Sequence, residues 1–213
     1  LFRAWLKSKN LGELAFWSEF RGGKPVQDPC ECRTDITVPF TDDSMNLFKW
    51  LKRVVLLNFR EYKIKIGGDP VKDLKFLGLI EGFLRDHCPE FKLRLDGNQG
   101  YRKDSFLRFF EKCAKRGYPL ELVEQPLPKG DYAGLRDLTR ELPVPIILDE
   151  SVHCLEDLNR ALDMNACDGV NIKLAKSGIS ETGRILKGAA QNNLKLMIGC
   201  MTETMTGLSA AIR

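Results

Sequence analysis

The chain has 213 residues, 43% of them hydrophobic and 29% charged, with 33 Lys and Arg against 29 Asp and Glu. That balance supports a buried core and excludes intrinsic disorder, and a net charge of +4 without a clustered basic patch gives no grip on nucleic acid or a membrane surface. No purely apolar run is longer than that of Val54–Leu57, far short of a membrane span, and no basic-then-apolar segment opens the chain.

Residues 1–32 read differently from the rest. Leu1 to Phe20 suits a helix or two, broken near Asn10-Leu11-Gly12, and Gly22-Gly23-Lys24-Pro25 and Asp28-Pro29 mark a linker. The chain starts at Leu1 rather than Met, so a piece of a longer protein is expected. From Thr34 onward short β-rich runs alternate with helix-period stretches. The strands are expected at Thr34–Pro39, Tyr62–Ile66, Phe91–Leu95, Leu120–Val123, Ile146–Leu148, Gly169–Lys173 and Lys195–Ile198. The helices fall between them at Asp43–Leu57, Pro70–His87, Asp104–Arg116, Asp131–Glu141, Leu155–Leu162 and Ile179–Asn192. Asp69-Pro70 supplies an N-cap and a first-turn proline, and Gly117 ends the helix after Lys115-Arg116.

Polar residues close these β-runs at Lys65, Asp96, Glu124, Asp149 and Lys173, and each run is followed by a helix. A βα unit repeating every ~25–30 residues implies parallel strands joined by crossovers, as in a TIM barrel. No phosphate-cradling glycine motif follows the early strands, which disfavours an open doubly wound sheet. Seven units are visible, so the expected fold is α/β, a (β/α)8-type TIM barrel over residues 33–213 lacking its last unit. Residues 1–32 then stand apart from the barrel as a preceding segment and linker.

Seven cysteines, at 30, 32, 88, 113, 154, 167 and 200, are scattered through apolar elements. An odd, dispersed set fits reduced cytoplasmic thiols better than a disulfide framework. Cys30 and Cys32 form a C-x-C pair too poor in neighbouring ligands to read as a zinc site. Only two histidines occur, and His87 suits a helix C-terminus.

Strand parity puts Lys63 and Lys65 on one face, Lys92, Arg94 and Asp96 on another, and Asn171 with Lys173. Lys63 and Lys65 alone would also suit the solvated face of an edge strand, and a single acid after a strand is usually a helix N-cap. Three acids ending successive strands at the repeat spacing instead predict a convergent ligand set. Oxygen donors with open positions suit Mg2+, held by Asp96, Glu124 and Asp149. Lys65 and Lys173 then face each other across the mouth, where each can address one face of a carbon. Lys63 or the metal would lower a lysine pKa toward a working base. The chemistry implied is proton abstraction next to a carboxylate.

The ordered set is Lys63-Ile64-Lys65, Asp96-Gly97-Asn98-Gln99-Gly100, Glu124-Gln125-Pro126, Asp149-Glu150-Ser151, Asn171-Ile172-Lys173-Leu174-Ala175-Lys176 and Ile198-Gly199-Cys200-Met201-Thr202-Glu203-Thr204. With it the chain resembles the muconate-lactonizing subgroup of the enolase superfamily, most closely its dipeptide epimerases. The resemblance implies a Mg2+-dependent isomerase epimerising a dipeptide of the L-Ala-D/L-Glu type through an enediolate, with Lys65 and Lys173 as the acid/base pair. It implies substrate contacts from Lys63, Thr37 and Cys200, a supporting role for Lys176, and outer positions for Asn98 and Glu203. Against that family, residues 1–32 are expected to be a remnant of an N-terminal capping region and the eighth strand with its Asp-x-Asp element is missing, so these residues alone are expected to be inactive. Elimination as in o-succinylbenzoate synthase, cycloisomerisation on the same site, and a non-catalytic truncated paralogue remain alternatives. The partner expected is a small carboxylate, with a homo-oligomer also compatible.

Overall fold

A computed structural model describes residues 33–201 together with residues 203, 204, 207, 208 and 211. The expected capping remnant and linker over residues 1–32, including Cys30 and Cys32, lies outside the described residues. Parallel strands and helices alternate along the chain: β1 (Ile36–Val38), α1 (Ser44–Leu56), β2 (Glu61–Lys65), α2 (Pro70–His87), β3 (Lys92–Asp96), α3 (Lys103–Lys115) and β4 (Leu120–Glu124). There follow α4 (Tyr132–Glu141), β5 (Ile146–Leu148), α5 (Leu155–Asp163), β6 (Gly169–Ile172), α6 (Leu174–Gln191) and β7 (Lys195–Ile198).

The sheet order is β1-β2-β3-β4-β5-β6-β7, every pairing parallel. Seven strands in sequence order, each linked to the next by a helix, form the curled α/β sheet of a TIM-type barrel. Among the described residues β1 and β7 are its two rims, each paired on one side.

The helices form where apolar residues recur at helical spacing and a cap starts them. Asp69 accepts from the backbone N–H groups of Val71 and Lys72 at the head of α2, with Pro70 next. The inner face of α2 then buries Phe76, Leu77, Ile80 and Leu84, and α3 buries Phe106, Phe109, Phe110 and Cys113. These pack on the outward residues of the strands, among them Ile64, Leu93, Leu95, Val123 and Val170, all fully buried. Each large apolar side chain so covered contributes about 1.5–3 kcal/mol. At the end of α2 the His87 ring stacks on Phe83, with its Nδ1 2.8 Å from the Phe83 carbonyl oxygen, the terminal place expected of it.

Helix α6 starts earlier than expected, at Leu174 rather than Ile179, and bends at Gly178, whose φ of 69° and ψ of 172° suit glycine alone. That break resets the helical period, so the apolar pattern registers only the second segment. The charged residues within β3 also find their reason. The Arg94 guanidinium donates to Asp35 at 2.8 Å and to Glu121 at 2.7 Å, and Lys92 reaches Glu121 at 2.9 Å. This ion-pair layer lies further back along the strands than the mouth, where the site residues gather.

Candidate active site

Register brings the first three polar strand ends together. Lys65 on β2 is the pairing partner of Asp96 on β3, and Asp96 is the partner of Glu124 on β4. Asp149 follows β5, and Asn171 and Lys173 close β6. The loops beyond these ends are laced by backbone bonds: Gly97 N–H donates to the Glu124 carbonyl, Gln99 N–H to that of Gln125, and Tyr101 N–H to that of Pro126.

Gln125 fixes the β4 and β5 ends relative to each other. Its fully buried amide oxygen accepts from the N–H groups of Asp149 and Ser151, each at 3.0 Å. Its amide nitrogen donates to the Leu127 carbonyl and the Ser151 hydroxyl. All four hydrogen-bonding positions of that side chain are used, so Asp149 is held beside Glu124 by a saturated crosslink.

Each of the three carboxylates carries an ammonium. Lys63 donates to Glu124 at 2.6 Å, Lys173 donates to Asp149, Lys176 reaches the other Asp149 oxygen at 2.6 Å, and Lys65 lies 3.4 Å from Asp96. Glu124 and Asp149 are each 1% exposed, whereas Lys65 is open to the mouth. Burial raises the Glu124 carboxyl above the usual range, with Lys63 pulling against it and Asp96 adding to it. Burial pushes Asp149 the same way, but Lys176 and Lys173 outweigh it and hold that carboxyl below its ordinary value. Burial disfavours charge on Lys173 and Lys63, yet the facing carboxylates win and keep both ammoniums above their usual pKa. Lys176 is the exception: burial dominates and lowers it.

The expected acid/base and ligand residues therefore share one mouth, but not as a ready metal cluster. Among the described residues no three His, Cys, Asp or Glu side chains stand close enough to hold one ion together. Each acid contacts a lysine instead. The donor set still fits a hard divalent cation, being three buried carboxylates at the ends of neighbouring strands β3, β4 and β5. Thr37 pairs in register with Lys63 on rim strand β1, and Cys200 follows β7; both side chains are exposed, and neither hydrogen-bonds to this cluster. The Glu203 carboxylate accepts from the Met201 N–H at 3.1 Å, a local turn away from the ion pairs.

Two contributors carried no role in the sequence reading. Asn171 donates to Glu124 at 2.6 Å while its own amide oxygen is buried without a partner among the described residues. Its parity with Lys173 was the available signal. The second is Glu150, joined to Lys65 through Asn98; nothing in its local sequence separates it from a solvated loop acid.

A curled parallel sheet with a mouth of alternating lysines and carboxylates defines an α/β-barrel domain built for charge at its strand ends. Residues 47–213 match the family model described as enolase C-terminal domain-like. The chain belongs to that family. It is 36% identical over 154 residues to a protein named L-Ala-D/L-Glu epimerase from Francisella tularensis subsp. novicida (strain U112), covering 72% of this chain and 42% of that one. The substrate-liganded L-Ala-D/L-Glu epimerase from Bacillus subtilis superposes with a TM-score of 0.77 at 34% identity, over 84% of this chain and 49% of that one. A dipeptide epimerase from Enterococcus faecalis V583, complexed with Mg and the dipeptide L-Leu-L-Tyr, gives a TM-score of 0.76 at 31% identity, with shares of 84% and 49%. The chain spans about half the length of these relatives.

Proposed function

We propose that this domain carries the acid/base machinery of a Mg2+-dependent dipeptide epimerase acting on substrates of the L-Ala-D/L-Glu type. The observation that carries the reading is the pairing of lysines with carboxylates at the ends of β2 to β6. Lys65 and Lys173 are separated by three intervening strands, so they approach a bound carbon from opposite sides. Inversion at a carbon next to a carboxylate needs just that, a base on one face and a proton donor on the other.

Asp96, Glu124 and Asp149 are the residues that would hold the cation. When bound there, it would supply positive charge against the anion that develops on the substrate carboxylate as the α-proton leaves, and would offset the Asp149 charge that holds the Lys173 ammonium above its ordinary pKa. Lys63, on the same face of β2 as Lys65, holds Glu124 and adds positive charge beside Lys65. In one direction Lys65 takes the α-proton and the Lys173 ammonium returns one from the opposite face; in the other direction the roles exchange. Asn171 fixes the second oxygen of Glu124, and Lys176 anchors Asp149 while also bonding the carbonyls of Asp149, Val152 and Asn171. Thr37 and Cys200, exposed at the two rims, are the side chains assigned to substrate contact. The names of the matched relatives support a dipeptide as the substrate class.

The test is incubation of the natural full-length protein with Mg2+ and L-Ala-L-Glu in D2O. Inversion at the glutamate α-carbon with solvent deuterium incorporated there supports the reading. Loss of water or ring closure without inversion would overturn it.

A further inference from the structure

The mouth contains a polar chain that the acid/base scheme does not use. The Lys65 ammonium donates to the Asn98 Oδ1 at 2.7 Å, and the Asn98 Nδ2 donates to Glu150 Oε1 at 3.2 Å. The orientation of the amide is fixed by its partners, because a flipped Asn98 would set NH2 against ammonium and oxygen against carboxylate. Glu150 supplies a second sign of purpose. Its other carboxylate oxygen is buried, and among the described residues Asn98 is the one hydrogen-bond partner of the side chain. A half-buried carboxylate with so little else to hold is costly unless what it orients matters.

The backbone agrees. Among the described residues six non-glycine residues have positive φ. Asn58, Asn165 and Asn193 follow helices, where asparagine commonly adopts the left-handed form. The remaining three, Asn98 (φ 39°), Gln99 (φ 67°) and Gln125 (φ 32°), all sit in the mouth loops beyond β3 and β4. Strain of this kind persists only where surrounding contacts over-determine it. For Asn98 those contacts include its own N–H, which donates to Asp96 at 3.2 Å.

We propose that Asn98 and Glu150 form a relay that positions Lys65: the carboxylate beyond β5 holds the amide, and the amide holds the otherwise half-exposed ammonium over the substrate face that Lys65 serves. Asn98 and Glu150 are positioning residues and transfer no proton. The idea rests on the two-lysine reading above. It differs from a merely structural role in one respect. A weakened loop would slow chemistry on both faces of the carbon, whereas a displaced Lys65 slows it on one.

The experiment measures α-proton exchange in D2O for each epimer of the dipeptide separately, in the natural full-length protein, for Lys65→Ala, Asn98→Gly and Glu150→Met. Glycine at 98 removes the side chain and relieves the positive φ, and the methionine breaks the relay from its far end without touching that backbone. Lys65→Ala defines the epimer that depends on Lys65. Asn98→Gly and Glu150→Met are expected to slow exchange of that epimer by roughly tenfold or more while the other changes by about twofold at most. A crystal structure of the Asn98→Gly protein should show the Lys65 ammonium moved from its place. An equal loss for both epimers while Lys65→Ala is one-sided would overturn the relay. If Lys65→Ala itself is not one-sided, the two-lysine reading fails, and the Lys65 position in the crystal structure decides the relay by itself: unmoved, it is refuted.

Discussion

The Lys63 ammonium reaches over β3 to donate to the Glu124 carboxylate at 2.6 Å, joining β2 to β4 inside the curl of the sheet. Neither side chain has much access to water, at 11% and 1% exposure. Such a pair is weak evidence of net stabilisation, because desolvation offsets the attraction. Breaking it from one side is another matter, since a buried charge is left behind.

Lys63→Met is therefore expected to lower folding stability at neutral pH by on the order of 3–5 kcal/mol. The deficit should shrink in acid. Burial raises the folded-state pKa of Glu124, so its favourable contribution is present below the unfolded value and is lost as pH rises through the folded one. Urea unfolding at neutral and at mildly acid pH measures both. Equal midpoints for Lys63→Met and the parent at neutral pH would contradict the account.

A separate pH effect is expected in alkali. Burial pushes the thiols of Cys113 and Cys167 and the phenol of Tyr62 each up to about 12. The folded state thus holds protons that the unfolded chain releases near pH 9 to 10. That stability is fully present below the unfolded values and is lost as pH rises toward about 12. Denaturant midpoints should fall steadily over this interval, and Cys113 should resist alkylation in the native protein while exposed Cys200 reacts. A flat stability profile across the interval would refute it.

Gly199 touches the site by its smallness. A Cβ there would lie 2.6 Å from the Asn171 amide oxygen and 2.7 Å from Lys173 Cε. Gly199→Ala should displace Lys173, and a shift of about 1 Å in a reacting group can cost up to ~100-fold in rate. Turnover in the natural full-length protein should fall far more than the unfolding midpoint. Unchanged turnover would mean that Lys173 does not work from its present position.

Binding of Mg2+ to the three carboxylates should stabilise the folded state, by about 2.7 kcal/mol at a hundredfold excess over Kd. Asp96→Asn, which alters the acid with the loosest ammonium contact, should remove most of the Mg2+-dependent rise in the thermal midpoint. No rise in the parent protein would refute the ligand assignment.

Much of this was legible from the residues themselves. The strand positions and the shared face of Lys63 and Lys65 followed from period-two patterning, and the order of the sheet followed from the repeat spacing. The start of α6 did not, because Gly178 interrupts the helical period that would reveal it. The partners of Arg94 were equally hidden: Asp35 and Glu121 come from β1's approach and from β4, and pairing across strands leaves no local trace. The same holds for Glu150, which meets Asn98 only through the convergence of two loops. The contacts of the three carboxylates with Lys63, Lys65, Lys173 and Lys176 were hidden for the same reason, since most of them cross strands.

The central claim is that Lys65 and Lys173 serve opposite faces of one carbon, and stereochemically resolved proton exchange tests it most directly. In the natural full-length protein with Mg2+ and L-Ala-L-Glu or L-Ala-D-Glu in D2O, Lys65→Ala and Lys173→Ala should each abolish epimerisation. Each should still exchange the α-proton of one epimer, and the two variants should retain opposite epimers. Near-normal epimerisation by either variant, or retention of the same epimer by both, would contradict the account.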